Sequence, residues 1–350
     1  MRTRARATQS SFPGLTRRRF LSCVAAGAAG MAWLAERTPP AFAQRRVFGA
    51  RFGVVVSATT VIAIGDKFFC DEANKRSGGA LQIQFFPDGQ IGGSRDLLEG
   101  VQLGTVQFAE VSTANITPFL ADTMVFDLPY VFTSQPALLK FLDGPVGSEK
   151  LAIERFGTIG MRGLCWYDTG TRDIYNSRKP IVTPDDLKGM KIRVEENPVR
   201  VAALNAMGAQ ATPMSFAEVY GALQQKVVDG AENSAQTYMA NKHNEVAPLF
   251  SLTDHFITPN CVVVSTKFFG SLPKELQELL TQVAKDTAVY ERKVWADVGA
   301  KLTGEMKAAG VKINESDKKA FRATVTRVQE EYAKKIPKDW WDTVMKAAAA

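Results

Sequence analysis

Between Lys191 and Gly230 the chain switches repeatedly between the two-residue period of a strand and the longer period of a helix, and this alternation narrows the possible folds. Lys191-Ile192-Arg193-Val194 reads as a short strand. Asn197 then offers an N-cap, with Pro198 at the first helical position and Gly208 as the stop. Ala209 to Thr212 is expected as a second strand. Ser215-Phe216-Ala217-Glu218 has the spacing of a capping box, with Met214 and Val219 placed as its hydrophobic staple. That helix is expected to run to about Gln225, and Lys226-Val227-Val228 to form a third strand before the Asp229-Gly230 turn. Strands separated by helices pair in parallel, because each crossover returns the chain to the same side of its sheet. The expected class is α/β.

The flanking segments continue this pattern. Leu81 to Phe85 alternates as a strand and is closed by Pro87-Asp88-Gly89. Ser94 can cap a helix through Leu103, stopped by Gly104, and Thr105 to Val111 reads as the next strand. Gly163 to Tyr167 reads as another. Further on, apolar residues from Leu276 through Val283 and Val294 to Met306 recur at helical spacing until Gly310. A helix from Lys274 to Ala309 would measure roughly 50 Å at ~1.5 Å per residue. That exceeds the width of one lobe of a chain this size, so the helix must lie across two lobes or bend between them.

The first 43 residues read as an address. Arg17-Arg18-Arg19 precedes an uncharged run, Phe20 to Leu34, that is too short to span a bilayer, and Ala41-Phe42-Ala43 offers a signal-peptidase site. Paired arginines in this frame are the mark of a Tat-type export signal. The segment carries seven arginines and one acid, so the chain's formal charge of +7 falls to about +1 without it. The basic character therefore belongs to the address and gives no reason to expect a nucleic-acid partner. The remaining 307 residues are enough for two cores. Cys70, Cys165 and Cys261 form no Cys-x-x-Cys pair; three buried thiols are the expected outcome, with one disulfide between two of them as the alternative in an oxidising compartment.

In open parallel sheets, ligands bind beyond the carboxyl ends of the strands. Arg193 ends the first strand of the mid-chain unit, Phe216 follows the second, and Asn233 follows the third. A guanidinium can grip both oxygens of a carboxylate, a ring beside it can hold its plane, and an amide can orient what remains. Arg172 follows the strand ending at Tyr167 and is a second candidate, unless Asp168 or Asp173 pairs with it. Arg178 is left as structural. His243 lies in a polar stretch and is expected to be solvated, whereas His255 is expected to be a hydrogen-bonded structural residue. Glu195-Glu196 and Asp185-Asp186 read as helix-start charges. No Gly-x-Ser-x-Gly, Walker, Gly-x-Gly-x-x-Gly or His-Glu-x-x-His motif occurs, so no enzyme is expected.

Several blocks, taken in order, resemble the solute-binding subunits of TRAP transporters, the tripartite ATP-independent periplasmic systems of the dicarboxylate-receptor, DctP-like type. They are Pro87-Asp88-Gly89-Gln90-Ile91-Gly92-Gly93, Phe126-Asp127-Leu128-Pro129-Tyr130, Gly170-Thr171-Arg172, Leu187 to Val194, Thr212 to Tyr220 and Val228 to Asn233. The resemblance implies a two-lobed periplasmic binding protein with a long lobe-bridging helix. It puts lobe I at 44–169 plus 259–298 and lobe II at 170–258 plus 299–350, after a signal peptide at 1–43. It also puts the family's carboxylate-clamping arginine on Arg193, its ring on Phe216, its amide on Asn233 and its second arginine on Arg172. The implied function is periplasmic capture of a small organic carboxylate (a dicarboxylate, sugar acid or other organic acid) for delivery to TRAP membrane permease subunits. A Tat-exported periplasmic enzyme and a receptor used for sensing are the alternatives.

Two departures from the family pattern stand out. Ser234 replaces a proline common after the amide. The tryptophan of the subgroup that binds keto acids through a metal is missing near that place, so neither metal nor cofactor is expected. In the opening strand Ser57, Thr59 and Thr60 are the polar candidates, and the far end of a ligand is expected to meet few charged groups.

Overall fold

The computed structural model describes residues 46–348 apart from Thr133; the expected export signal lies outside the described residues. In chain order the strands are β1 (Phe48–Gly53), β2 (Leu81–Phe86), β3 (Phe108–Ser112), β4 (Met161–Tyr167), β5 (Thr171–Asn176), β6 (Lys191–Val194), β7 (Gln210–Pro213), β8 (Gly230–Asn233), β9 (Leu249–Ile257), β10 (Asn260–Ser265) and β11 (Lys312–Glu315). The helices are α1 (Val61–Arg76), α2 (Ser94–Leu103), α3 (Thr113–Ile116), α4 (Gln135–Asp143), α5 (Pro198–Ala206), α6 (Val219–Gln224), α7 (Ala235–Ala240), α8 (Thr266–Ser271), α9 (Lys274–Ala308), α10 (Lys318–Ala333) and α11 (Lys338–Ala348).

The strands form two sheets, ordered β2-β1-β3-β10-β4 and β11-β9-β5-β8-β6-β7. As the mid-chain alternation requires, β6 pairs in parallel with β7 and with β8. The exceptions are the strands that arrive from the other sheet. β5 runs antiparallel to β8 and β9, and β10 runs antiparallel to β3 and β4. Each follows its predecessor almost without a turn, so the chain passes from one sheet to the other at 168–170 and again at 258–259. The two crossings are tied together by Thr169, whose hydroxyl donates to Thr258 O at 2.6 Å. Gly170 sits there at φ +69°, and a Cβ on it would lie 2.6 Å from Trp295 of α9, so this contact needs a residue without a side chain.

The long helix is α9, 35 residues in one piece. Its N-terminal half buries Leu280, Val283, Ala284 and Ala288 with α1 and the first sheet, and its C-terminal half packs Leu302 and Met306 against the second. It therefore belongs to both cores. At ~25 cal/mol per Å² of apolar surface, each fully buried leucine or methionine contributes about 1.5–3 kcal/mol to that attachment. The chain's end turns back: Trp340 and Val344 of α11 bury beside Leu142 and Phe126, in the core of the first sheet. The division implied by the resemblance puts this segment with the second lobe. Its apolar stripe instead finds α4, and the Trp340 indole donates to Asp122 O at 2.9 Å.

Four local expectations are corrected. The stretch Lys226-Val227-Val228 is no strand: Val227 is half exposed and its N–H returns to Ala222 O, closing a turn after α6. The third strand begins instead at Gly230, where a Cβ would sit 2.3 Å from Tyr175 O. Ser215 makes no side-chain cap, and a 3-10 turn at Phe216–Glu218 replaces the expected capping box. Residues 105–107 are not strand, and β3 starts at Phe108. Helix α2 is capped by Gly93, whose N–H donates to the Asp96 carboxylate at 2.9 Å, rather than by Ser94.

Candidate functional site

The two sheets face each other across a cavity that spans about 630 Å³ when the open space at its mouth is included. Arg172, Arg193, Phe216 and Asn233 all line it. Arg193 reaches it because it is the penultimate residue of β6, and Phe216 because it follows β7 through the Met214-Ser215 turn. Asn233 is the last residue of β8 itself. Arg172 is the second residue of β5 rather than a residue beyond a carboxyl end, and antiparallel pairing brings it level with that end of β8.

The two arginines are in different electrostatic states. The Arg193 Nε and Nη2 both donate to the carbonyl of Met214, at 3.0 and 2.7 Å, and the guanidinium lies 5.7 Å from the Phe216 ring. It is 2% exposed, and no carboxylate among the described residues forms an ion pair with it. Burial pushes its pKa down, but a guanidinium keeps its proton. Arg172 is fully engaged. Its Nε donates to Glu232 Oε2 at 2.5 Å, its Nη2 to Glu232 Oε1 at 2.9 Å, and Glu195 Oε2 stands 3.5 Å away. Its partners are these two glutamates and not the expected neighbours Asp168 and Asp173.

Glu232 is part of a larger buried network. Burial alone would push its carboxyl up, but Arg172 beside it, with His255 Nε2 3.7 Å away and Arg200 beyond, holds it well below the usual carboxylate range. Arg200, which sequence reasoning missed, is wholly buried with its guanidinium 3.8 Å from the Phe256 ring. It pairs with Asp127 at 3.4 Å and stands 3.9 Å from Glu232. Asp127 also accepts from Asn197 at 2.7 Å, and the same Asn197 amide donates to Ala114 O. Nothing local in Asn197-Pro198-Val199-Arg200 signals this role, since the partners come from the other lobe's segment 114–127.

Other expectations change here. His243 is buried, its Nδ1 bonded to the Tyr175 hydroxyl at 2.7 Å; burial, with the charge of Arg193, pushes its pKa down to about 3. Burial decides its state, not the polar residues beside it in sequence. His255 is hydrogen-bonded to Thr253 at 2.8 Å, as expected. Asp186 does cap its turn, accepting from Thr183 N at 2.9 Å. Glu195 does not: it is buried in the cavity wall and accepts from Asn115 of α3 at 3.0 Å, a bond between the two lobes. Thr60 caps α1, and Ser57 N donates to Asn241 across the cleft at 3.0 Å, so neither supplies the cavity wall. Glu110, Ser112, Asn115 and Asn260 do, together with Glu195 and Glu196. The far wall is thus more charged than expected. Arg178 stays on the surface beside Asp229, and the three cysteines are buried and free. Among the described residues no cluster of metal-ligating side chains occurs.

A family model described as bacterial extracellular solute-binding protein, family 7, matches residues 52–335. The 2,3-diketo-L-gulonate-binding periplasmic protein YiaO of Escherichia coli is 36% identical over 291 residues, 82% of this chain and 88% of that protein. The C4-dicarboxylate-binding periplasmic protein DctP of Rhodobacter capsulatus is 32% identical over 92% of this chain and 96% of its own length. The crystal structure of a TRAP periplasmic solute binding protein from Sulfitobacter sp. NAS-14.1, with bound β-D-galacturonate, superposes with a TM-score of 0.81 at 34% identity. It covers 86% of this chain and 99% of its own.

Proposed function

The chain belongs to family 7 of the bacterial extracellular solute-binding proteins, and from that premise we propose that it is the periplasmic solute receptor of a TRAP transporter. It clamps a small organic carboxylate between its lobes and delivers it to the membrane permease. The observation that carries this reading is Arg193, a buried guanidinium on the cavity wall that no carboxylate among the described residues contacts as an ion pair, Glu195 and Glu232 acting on it only from farther off. A buried charge without a counterion is costly, and a ligand carboxylate supplies that counterion. Phe216 covers the guanidinium, Asn233 offers the amide that orients the ligand, and Arg172 holds the wall's second positive edge through Glu232. The ligands for which these relatives are named or with which they were crystallised, a diketogulonate, a C4-dicarboxylate and a galacturonate, all carry a carboxylate.

No chemical step is assigned to the cavity. Neither His243 nor His255 lines it, and each is occupied in a hydrogen bond of its own. Isothermal titration with D-galacturonate, D-glucuronate and succinate tests the reading. At least one acid binds, and Arg193→Ala lowers its affinity by about 3 kcal/mol or more, because the fork and its charge go together. Undiminished affinity in Arg193→Ala refutes it. Export is tested apart from binding: replacing Arg17 and Arg18 by lysine is expected to hold the precursor in the cytoplasm.

A further inference from the structure

Which carboxylate the receptor takes is a question of charge count in the cavity. Arg172, Arg193, Glu110, Glu195 and Glu196 are the charged side chains that line it. Arg172 is spent on Glu232 and Glu195, so one positive group, Arg193, is free for a ligand. Glu195 is also engaged, by Asn115 and Arg172. Glu110 is different. It projects from β3 on the opposite sheet from Arg193, is 2% exposed, and its Oε1 has no hydrogen-bond partner. Around it the wall offers neutral groups, among them Ser112, Asn115, Thr237 and Asn260.

We propose that the cavity admits an acid with one carboxylate on an otherwise uncharged, hydroxylated chain, and that Glu110 is the residue that turns away a second carboxylate. This rests on the carboxylate-receptor reading above. A ligand hydroxyl suits Glu110 in either protonation state, since it can donate to the carboxylate or accept from the acid. A second ligand carboxylate meets no free cation on that wall, and beside an ionised Glu110 it meets a like charge out of water.

The exclusion depends on pH. Burial pushes the Glu110 carboxyl up to about 8, the Asn260 amide opposing and Glu195 adding to the rise. The titratable groups around it are acids or weak acids: Glu195 from the opposite sheet, Asp66 on α1, Tyr167 on β4, Cys261 on β10 and Glu291 on α9. None is a cation that would draw in a second anion. Below that pH a neutral Glu110 can donate to a carboxylate and the discrimination relaxes; above it the discrimination is full.

The test compares matched pairs by calorimetry on the full mature chain: D-galactonate against galactarate and D-gluconate against D-glucarate, the same open carbon chains without and with the second carboxylate. Near pH 9 the monoacid of a pair binds at least about tenfold tighter, and near pH 6.5 that ratio shrinks. Glu110→Gln, folded by its melting temperature, narrows the ratio and removes its pH dependence. The wild-type pH series stands on its own if the variant does not fold. A diacid bound as tightly as its monoacid near pH 9 overturns the proposal, as does a ratio that Glu110→Gln leaves intact. If that diacid binding still requires Arg193, the receptor reading survives; if no acid binds, both fall.

Discussion

Arg193 and Arg172 share one cavity wall yet should respond to substitution in opposite ways. Removing Arg193 breaks no ion pair with a protein carboxylate, Glu195 and Glu232 acting on it only at longer range, so the larger loss is expected in ligand affinity. Removing Arg172 strands Glu232 in the interior. Arg172→Met is therefore expected to cost about 3–5 kcal/mol of folding stability, read as a lower urea midpoint with or without ligand. A drop below about 1 kcal/mol would mean that the pair does not hold the second sheet together. Two groups here also set the acid limit. Glu232 has a folded pKa below its unfolded one, so its stabilisation is present above the ordinary carboxylate range and is lost as pH falls. His243 titrates at about 3 in the fold, and the unfolded chain takes up the proton first. The contribution of His243 thus declines from about pH 6.5 downward and that of Glu232 below the ordinary carboxylate range, and His243→Gln should remove the first of these slopes in melting curves taken across the range. Arg193 and Phe216 were legible as candidates because each stands at or just past the carboxyl end of a strand, a place that local pattern reveals; Asn233 was reached from a strand expected at 226–228 and is the last residue of β8 instead. The engagement of Arg172 was not legible. Its partner is sixty residues away, and only the β5–β8 register brings them together.

The long helix carries two testable features at the scale of the element. Gly299 and Gly304 lie on its exposed side, and a Cβ at either would meet nothing within 4 Å. Glycine there is a cost without a packing purpose, so each change to alanine should add about 0.5–1 kcal/mol, seen as a rise in melting temperature. Glu291 is the opposite case, a fully buried acid halfway along α9 whose Oε2 accepts from Asp168 N at the sheet crossing. Burial pushes it up to about 8. The folded form therefore binds a proton that the unfolded chain has released, and stability falls as pH rises from the carboxylate range to about 8. Glu291→Gln should remove a slope of at most about 1.4 kcal/mol per pH unit, measured as a flatter melting profile between about pH 5 and pH 8. The helix itself was legible because its apolar period is uninterrupted from Leu276 to Met306. The place of β8 was not, because a turn after α6 and a close approach at Gly230 compete with the strand character of Val227-Val228.

For the molecule as a whole, the two lobes are joined by the paired crossings at 168–170 and 258–259 and by α9, and they meet again through Asn115–Glu195 and Ser57–Asn241. A ligand that bridges them binds only the folded chain. At a hundredfold excess over its dissociation constant it should add about 2.7 kcal/mol of stability, and a thermal-shift series against concentration should follow that law. The sequence by itself determined the α/β class, the parallel mid-chain unit, the bridging helix and the strand ends from which Arg193 and Phe216 project, because periodicity, caps and stops act within a few residues. Only the tertiary structure decided which cation stays free and which acids face it. Arg172, Arg200, Glu232, Glu195, Asp127 and Glu110 come from distant segments, and ion pairs in a buried wall are chosen by proximity in space under a heavy penalty for any charge left alone.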